Sequence, residues 1–161
     1  MLISSYKCDD DSVPLDSYIA NWGPTFVKIA AKQGKGLDTC DTMKAQIEAA
    51  GFEDMHEKLY KIPLGDWAKN TVLREAGKFN KLHLLEAMEG YAMYVPQLDP
   101  KPYRLKLMLI RFLLTKFGGP EPWSAEEVQV YLAKVRDDIN NREYHAYSSV
   151  RRIWARKPLN A

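Results

Sequence analysis

"AAGFEDMHEKLYKIPLGDWAKN", residues 49–70, is the stretch on which the fold turns. Its opening reads as a helix end, with Gly51 placed as the left-handed residue that closes an α-helix. From Phe52 to Ile62 the chain has extended character, yet it carries Asp54, Glu57, Lys58 and Lys61. A strand so charged suits the edge of a sheet, where charge discourages pairing with other chains. Pro63 and Gly65 stop it, and Trp67 sits in the turn that follows.

Upstream, residues 2–7 (LISSYK) read as a short strand ended by the acidic turn Asp9-Asp10-Asp11. After Pro14, Ile19, Trp22, Phe26 and Ile29 recur at three or four residues, so a helix is expected, with a break or kink at Gly23-Pro24. Gln33-Gly34-Lys35-Gly36 ends it. A second helix starts from a cap near Asp38 to Asp41 and carries the apolar stripe Met43, Ile47, Ala50.

Downstream, Thr71 to Val95 is the longest helical stretch, interrupted by Gly77 and Gly90 and closed by Pro96. A Pro-rich link at 98–102 leads to an apolar helix at 103–117, which reads as a buried element. Ser124-Ala125-Glu126-Glu127 has the form of a capping box, and Val128, Leu132, Val135 and Ile139 then mark an amphipathic helix. His145 to Lys157 reads as a final strand. The expected fold is α+β, a small sheet of about three strands with several helices, in a single domain over 1–161.

Composition narrows the function. At 161 residues the chain is one domain with a real core, and 46% apolar with 27% charged residues is ordinary globular composition. Lys plus Arg (23) nearly balances Asp plus Glu (21), so no strong field recruits nucleic acid. Cys8 and Cys40 make neither a disulfide framework nor a metal spacing, and a reducing compartment is the default. The start MLISSYKCDDD lacks the basic start and apolar run of a signal peptide. Leu105 to Phe117 is charged and shorter than the roughly 20 residues of a bilayer span. A cytoplasmic protein with no membrane span is expected.

No HExxH, CxxC, GxSxG or P-loop is present, and His56, His83 and His145 make no metal spacing, so neither metal nor cofactor is expected. The helix at 71–95 offers the most chemistry. Phe79, His83, Glu86, Gly90 and Tyr94 fall at spacings of three or four and share a face. An imidazole one turn from a carboxylate, with a phenol beyond, makes His83, Glu86 and Tyr94 the candidate proton-transfer residues. Trp22, Trp67, Phe79 and Tyr91 are the candidate walls for a flat apolar ligand. Each has a plainer structural reading: a helix histidine satisfied by Glu86, and aromatics that form the core. Tyr144, His145 and Tyr147 at the start of the last strand read as packing or exposed residues, and Arg151-Arg152 with Arg156-Lys157 as a solvated strand face.

Three blocks, "AAGFEDMHEKLYKIPLGDW", "KFNKLHLLEAMEGYAM" and "WSAEEVQVYLAKVRDDINNREYHAYSSVRRIWARKP", resemble the C-terminal part of the fungal class I methyltransferases related to the secondary-metabolism regulator LaeA. The acidic turn "DDDSVP" is similar to the segment that follows the fifth strand of those enzymes. The resemblance covers the chain apart from roughly residues 97–117, and it rests on structural blocks, not on catalytic signatures. It implies a doubly wound sheet in which S-adenosylmethionine is held by a Gly-rich turn after the first strand and an acidic residue after the second. Gly34-Lys35-Gly36 follows a helix and lacks a third glycine, so the chain reads as a truncated, substrate-side domain that does not bind the methyl donor.

The resemblance thus implies a scaffold of fungal secondary metabolism without its usual activity. One reading is a cofactor-independent cyclase or isomerase, such as a Diels-Alderase, that folds an apolar natural product into a reactive arrangement. The other is a non-catalytic pseudo-methyltransferase module that binds a partner protein. Self-association is expected, because a sheet beginning at the family's fifth strand leaves an edge and an apolar face open. Pocket-lining aromatics favour the enzyme, and an exposed apolar patch favours the module.

Overall fold

The computed structural model describes residues 6–31, 36, 39–92 and 123–158. Their elements in chain order are β1 (Tyr6–Lys7), α1 (Tyr18–Ala31), α2 (Thr39–Ala49), β2 (Glu53–Pro63), α3 (Thr71–Ala92), α4 (Ala125–Asn140) and β3 (Tyr147–Arg156). The fold is α+β, with a three-stranded antiparallel sheet of order β1-β3-β2. The helix expected at 103–117 lies outside the described residues.

The signals in residues 49–70 hold. Gly51 has φ +78°, its N–H reaches the Glu48 carbonyl at 2.9 Å, and the Phe52 N–H reaches that of Ile47 at 3.4 Å. This pair of reversed bonds closes α2 in a Schellman motif. The charged strand β2 pairs with β3 alone among the described residues, as an edge strand should. Opposite β2, β3 runs from Pro63↔Tyr147 to Glu53↔Arg156, with an irregularity between Glu53 and His56. Glu57 takes ion pairs from Lys44 of α2 at 3.5 Å and from Arg151 at 2.9 Å, so its strand face looks towards α2. On the other face His56, Trp154 and Arg152 stack in the open.

The core lies among α1, α3 and α4. Ile19, Trp22, Phe26 and Ile29 come from α1, Leu84, Met88 and Ala92 from α3, and Val128, Leu132, Val135 and Ile139 from α4. The capping box forms: Ser124 Oγ accepts from the Glu127 N–H, and the Glu127 carboxylate accepts from the Ser124 N–H. Asp138 of α4 accepts the Ile19 N–H at 2.9 Å, and Ser17 Oγ accepts that of Ala20 at 3.3 Å. Two free donors at the start of α1 are satisfied this way.

Two expected interruptions are absent. α1 runs unbroken through Gly23-Pro24, because Trp22, Gly23 and Phe26 are buried and the proline removes a single N–H donor from the ladder. α3 runs unbroken through Gly77 and Gly90. Gly77 is a notch for a neighbour: a Cβ there would lie 2.0 Å from the Gly65 carbonyl oxygen and 3.0 Å from the Pro63 Cβ. The Gly65 N–H donates to the Gly77 carbonyl at 3.0 Å, and Asn80 Nδ2 donates to that of Pro63 at 2.9 Å. The turn "PLGDW" is thereby seated directly on α3.

Candidate functional site

The carboxyl end of β1 meets the start of β3, since Lys7 pairs with Tyr147 and Tyr6 with Ser148. The turn after β1 therefore faces the residues that lead into β3. There the Asp10 Oδ2 and the His145 Nδ1 are hydrogen-bonded, although 135 positions separate them. The Ser12 N–H donates to Asp10 Oδ1 at 3.2 Å, and the His145 N–H to Ser12 Oγ at 2.9 Å. Asp11, at φ +55°, takes the left-handed conformation that bends the turn back.

Asp9 anchors the other side of the turn, accepting from the Tyr147 hydroxyl at 2.8 Å and from Lys61 of β2. Lys61 also lies 4.7 Å over the Tyr147 ring. The electrostatics follow from these bonds. The His145 hydrogen bond, with a smaller contribution from Ser12, holds the Asp10 carboxyl down at about 2. The Lys61 bond, then that of Tyr147, lowers Asp9, while Asp9 raises both Lys61 and Tyr147. Asp9 and Asp10 are thus carboxylates at neutral pH, each committed to its own partner.

Trp67 completes the group. Its Nε1–H donates to the Ala146 carbonyl at 3.0 Å, which also accepts the Leu64 N–H at 2.8 Å. Its ring lies 5.2 Å from that of His145 at an interplanar angle of 36°. The site is a surface feature, with the His145 and Asp10 side chains 42% and 47% exposed. An imidazole whose Nδ1 is held by a carboxylate presents Nε2 as the proton acceptor when neutral, which is the hardware of a general base.

The residues singled out in the sequence are distributed differently. Trp67 belongs to this site. Trp22 is 1% exposed and stacks on Tyr131, within an aromatic cluster that Tyr18, Phe26 and Trp123 complete. Burial pushes the Tyr131 phenol up to about 12. Phe79, His83 and Glu86 share the outer face of α3 and are exposed, opposite the buried Leu84 and Met88. Tyr94 and the side chain of Tyr91 lie outside the described residues. The Asp10–His145 pair was missed because the acidic turn and the histidine are each ordinary in isolation. Among the described residues no cluster of three or more His, Cys, Asp or Glu side chains is placed to hold a metal, and no helix is long and apolar enough to cross a membrane.

Comparison with known proteins agrees with the resemblance. The chain is 26% identical over 93% of its length to the methyltransferase pytC of Aspergillus terreus, covering 40% of that protein. It is 20% identical over 93% of its length to the probable methyltransferase tdiE of Emericella nidulans, covering 41%. To the secondary metabolism regulator laeA of Fusarium oxysporum f. sp. lycopersici it is 24% identical over 94%, covering 42%. The chain therefore spans about two-fifths of the length of these relatives. No family model and no solved structure matches it.

Proposed function

We propose that this chain, methyltransferase-like over nearly its whole length and similar to proteins of fungal secondary metabolism, holds a small apolar metabolite against Trp67 and isomerises or cyclises it without a methyl donor. The observation that carries the reading is the Asp10–His145 pair with the His145 ring tilted against that of Trp67. His145 Nε2 takes a proton from an acidic C–H or O–H of the substrate and returns it at another atom, so the step needs no oxidant and no leaving group. Asp10 fixes the tautomer and offsets the positive charge that forms on the ring. In a cyclisation the aromatic wall contributes by holding the reacting atoms close together. His83, Glu86 and Tyr94 are the alternative proton-transfer group within the same proposal.

The test is product formation from the apolar intermediates of neighbouring biosynthetic genes, run on the wild type, His145→Ala, Asp10→Asn and His83→Ala beside circular dichroism melts. His145→Ala should lower turnover about 10²- to 10⁴-fold with little change in melting, and Asp10→Asn should lower it less. A loss confined to His83→Ala would move the chemistry to α3. Turnover equal in all four proteins would remove acid–base catalysis at both places.

A second reading has its own support. Val72, Phe79 and Leu82 on α3 are 74%, 69% and 52% exposed, a stripe that suits a protein partner, either a second copy or a full-length relative. Light scattering of the wild type and Phe79→Glu tests the second copy: a dimer that Phe79→Glu breaks supports it, and a monomer in both sinks it.

A further inference from the structure

Arg151 and Arg152 are neighbours in sequence, yet the pleat of β3 turns them to opposite faces of the sheet. Arg151 meets Glu57 at 2.9 Å on the face towards α2. Arg152 belongs to the other face, where β2 and β3 set side chains opposite one another in rows: His56 with Trp154, Lys58 with Arg152, Tyr60 with Val150. Successive rows are two residues apart, about 7 Å along an antiparallel strand. His56, Lys58, Arg152 and Trp154 are all exposed, so no described element covers the first two rows.

The middle row works against the fold. Like charges directly opposite on a ladder repel, and neither Lys58 nor Arg152 has a carboxylate partner among the described residues. Each cation instead lies over an aromatic ring of its own strand. Lys58 Nζ is 5.1 Å from the Tyr60 centroid, and Arg152 Cζ is 5.2 Å from that of Trp154. Such cation–π contacts position the charges without neutralising them. The Trp154 ring also stacks with His56, at 5.4 Å and an interplanar angle of 19°. The carboxylates stand at the end of the ladder, Asp54 3.1 Å from His56 Nε2 and Glu53 3.8 Å from Arg156. Flat groups with two uncompensated cations among them complement a chain that alternates phosphates with planar bases. An acidic peptide would satisfy the cations and leave the stack unused, and a duplex keeps its bases paired and out of reach.

We infer that this open face of β2 and β3 binds single-stranded nucleic acid, with phosphates at Lys58 and Arg152 and a base lying on the His56 ring or the Arg152 guanidinium. The inference goes beyond the proposed function and uses none of its residues. With 23 Lys plus Arg against 21 Asp plus Glu, the chain has no long-range field for nucleic acid, so affinity rests on these local contacts. The probe is an oligothymidylate of about eight nucleotides, the scale of one stacking platform. Its duplex with oligoadenylate and a polyglutamate peptide are the comparisons. Titrations of the full 161-residue chain are followed by the indole N–H resonance of Trp154, assigned from Trp154→Phe.

The oligothymidylate should shift that resonance saturably, with the duplex and the peptide at least ten-fold weaker. Each phosphate neutralised on a single strand contributes about −0.7 to the slope of log affinity against log salt, so two give about −1.4. Lys58→Gln should roughly halve that slope and weaken binding about five-fold. This variant relieves the repulsion across the ladder, so it should fold as the wild type does. His56→Ala should weaken binding about five-fold through lost stacking and leave the slope unchanged. No shift, a slope near zero, a duplex bound as tightly as the single strand, or unaltered affinity in either variant would each overturn the inference. A peptide bound as tightly as the oligothymidylate would also overturn it and assign the face to an acidic protein.

Discussion

Asp10 illustrates how one residue acquires its role from the fold. Its carboxyl is held at about 2, against 3.8 for an unperturbed aspartate, first by His145 and then by Ser12. A carboxyl depressed in the folded state stabilises the fold above its unfolded value and loses that contribution as pH falls through its folded value. The window here runs from 3.8 down to about 2. Acid titration followed by circular dichroism should show the wild type losing stability across that window more steeply than Asp10→Asn. Some acid dependence should survive in the variant, because Asp9 is also lowered. Coincident curves for the two proteins would mean that the His145 bond does not persist in solution.

At the scale of elements, α3 is tied to the turn before it by contacts that leave no room for a side chain. Alanine is favoured over glycine in a helix interior by about 0.8–1.0 kcal/mol, so propensity alone would make Gly77→Ala stabilising. The Cβ would stand 2.0 Å from a backbone oxygen that hydrogen bonds hold in place, and overpacking of this kind costs about 1–3 kcal/mol. The clash should win, and Gly77→Ala is expected to be destabilised by about 1 kcal/mol net of the propensity gain, read from urea unfolding. An unchanged or raised midpoint would show that the turn is not seated on α3. Because Trp67 belongs to that turn, the same variant should also perturb its indole N–H resonance.

On the scale of the molecule, the sheet order places the last strand between the first two and so brings the turn after β1 and the residues that lead into β3 to one site. Among the described residues no glycine-rich turn follows a strand with an acidic partner beyond it, the arrangement that the resemblance assigns to the methyl donor. Isothermal titration with S-adenosylmethionine should therefore give no heat attributable to binding. Micromolar affinity would overturn the reading of a donor-independent scaffold.

The amino-acid sequence by itself determined the pieces whose information is local. Gly51 closes α2, Ser124 and Glu127 cap α4, and the charges of Phe52 to Ile62 mark an edge strand, because each signal acts within a turn or two of backbone. Trp67 was also legible, as a large residue in the turn that follows the strand stopped by Pro63 and Gly65. The tertiary structure alone decided which aromatics turn inward, burying Trp22 and leaving Phe79 exposed, since a face is chosen by what the rest of the chain places against it. It alone joined Asp10 to His145, because that contact exists only once β1 and β3 have paired, and no pattern within either segment encodes a partner 135 positions away.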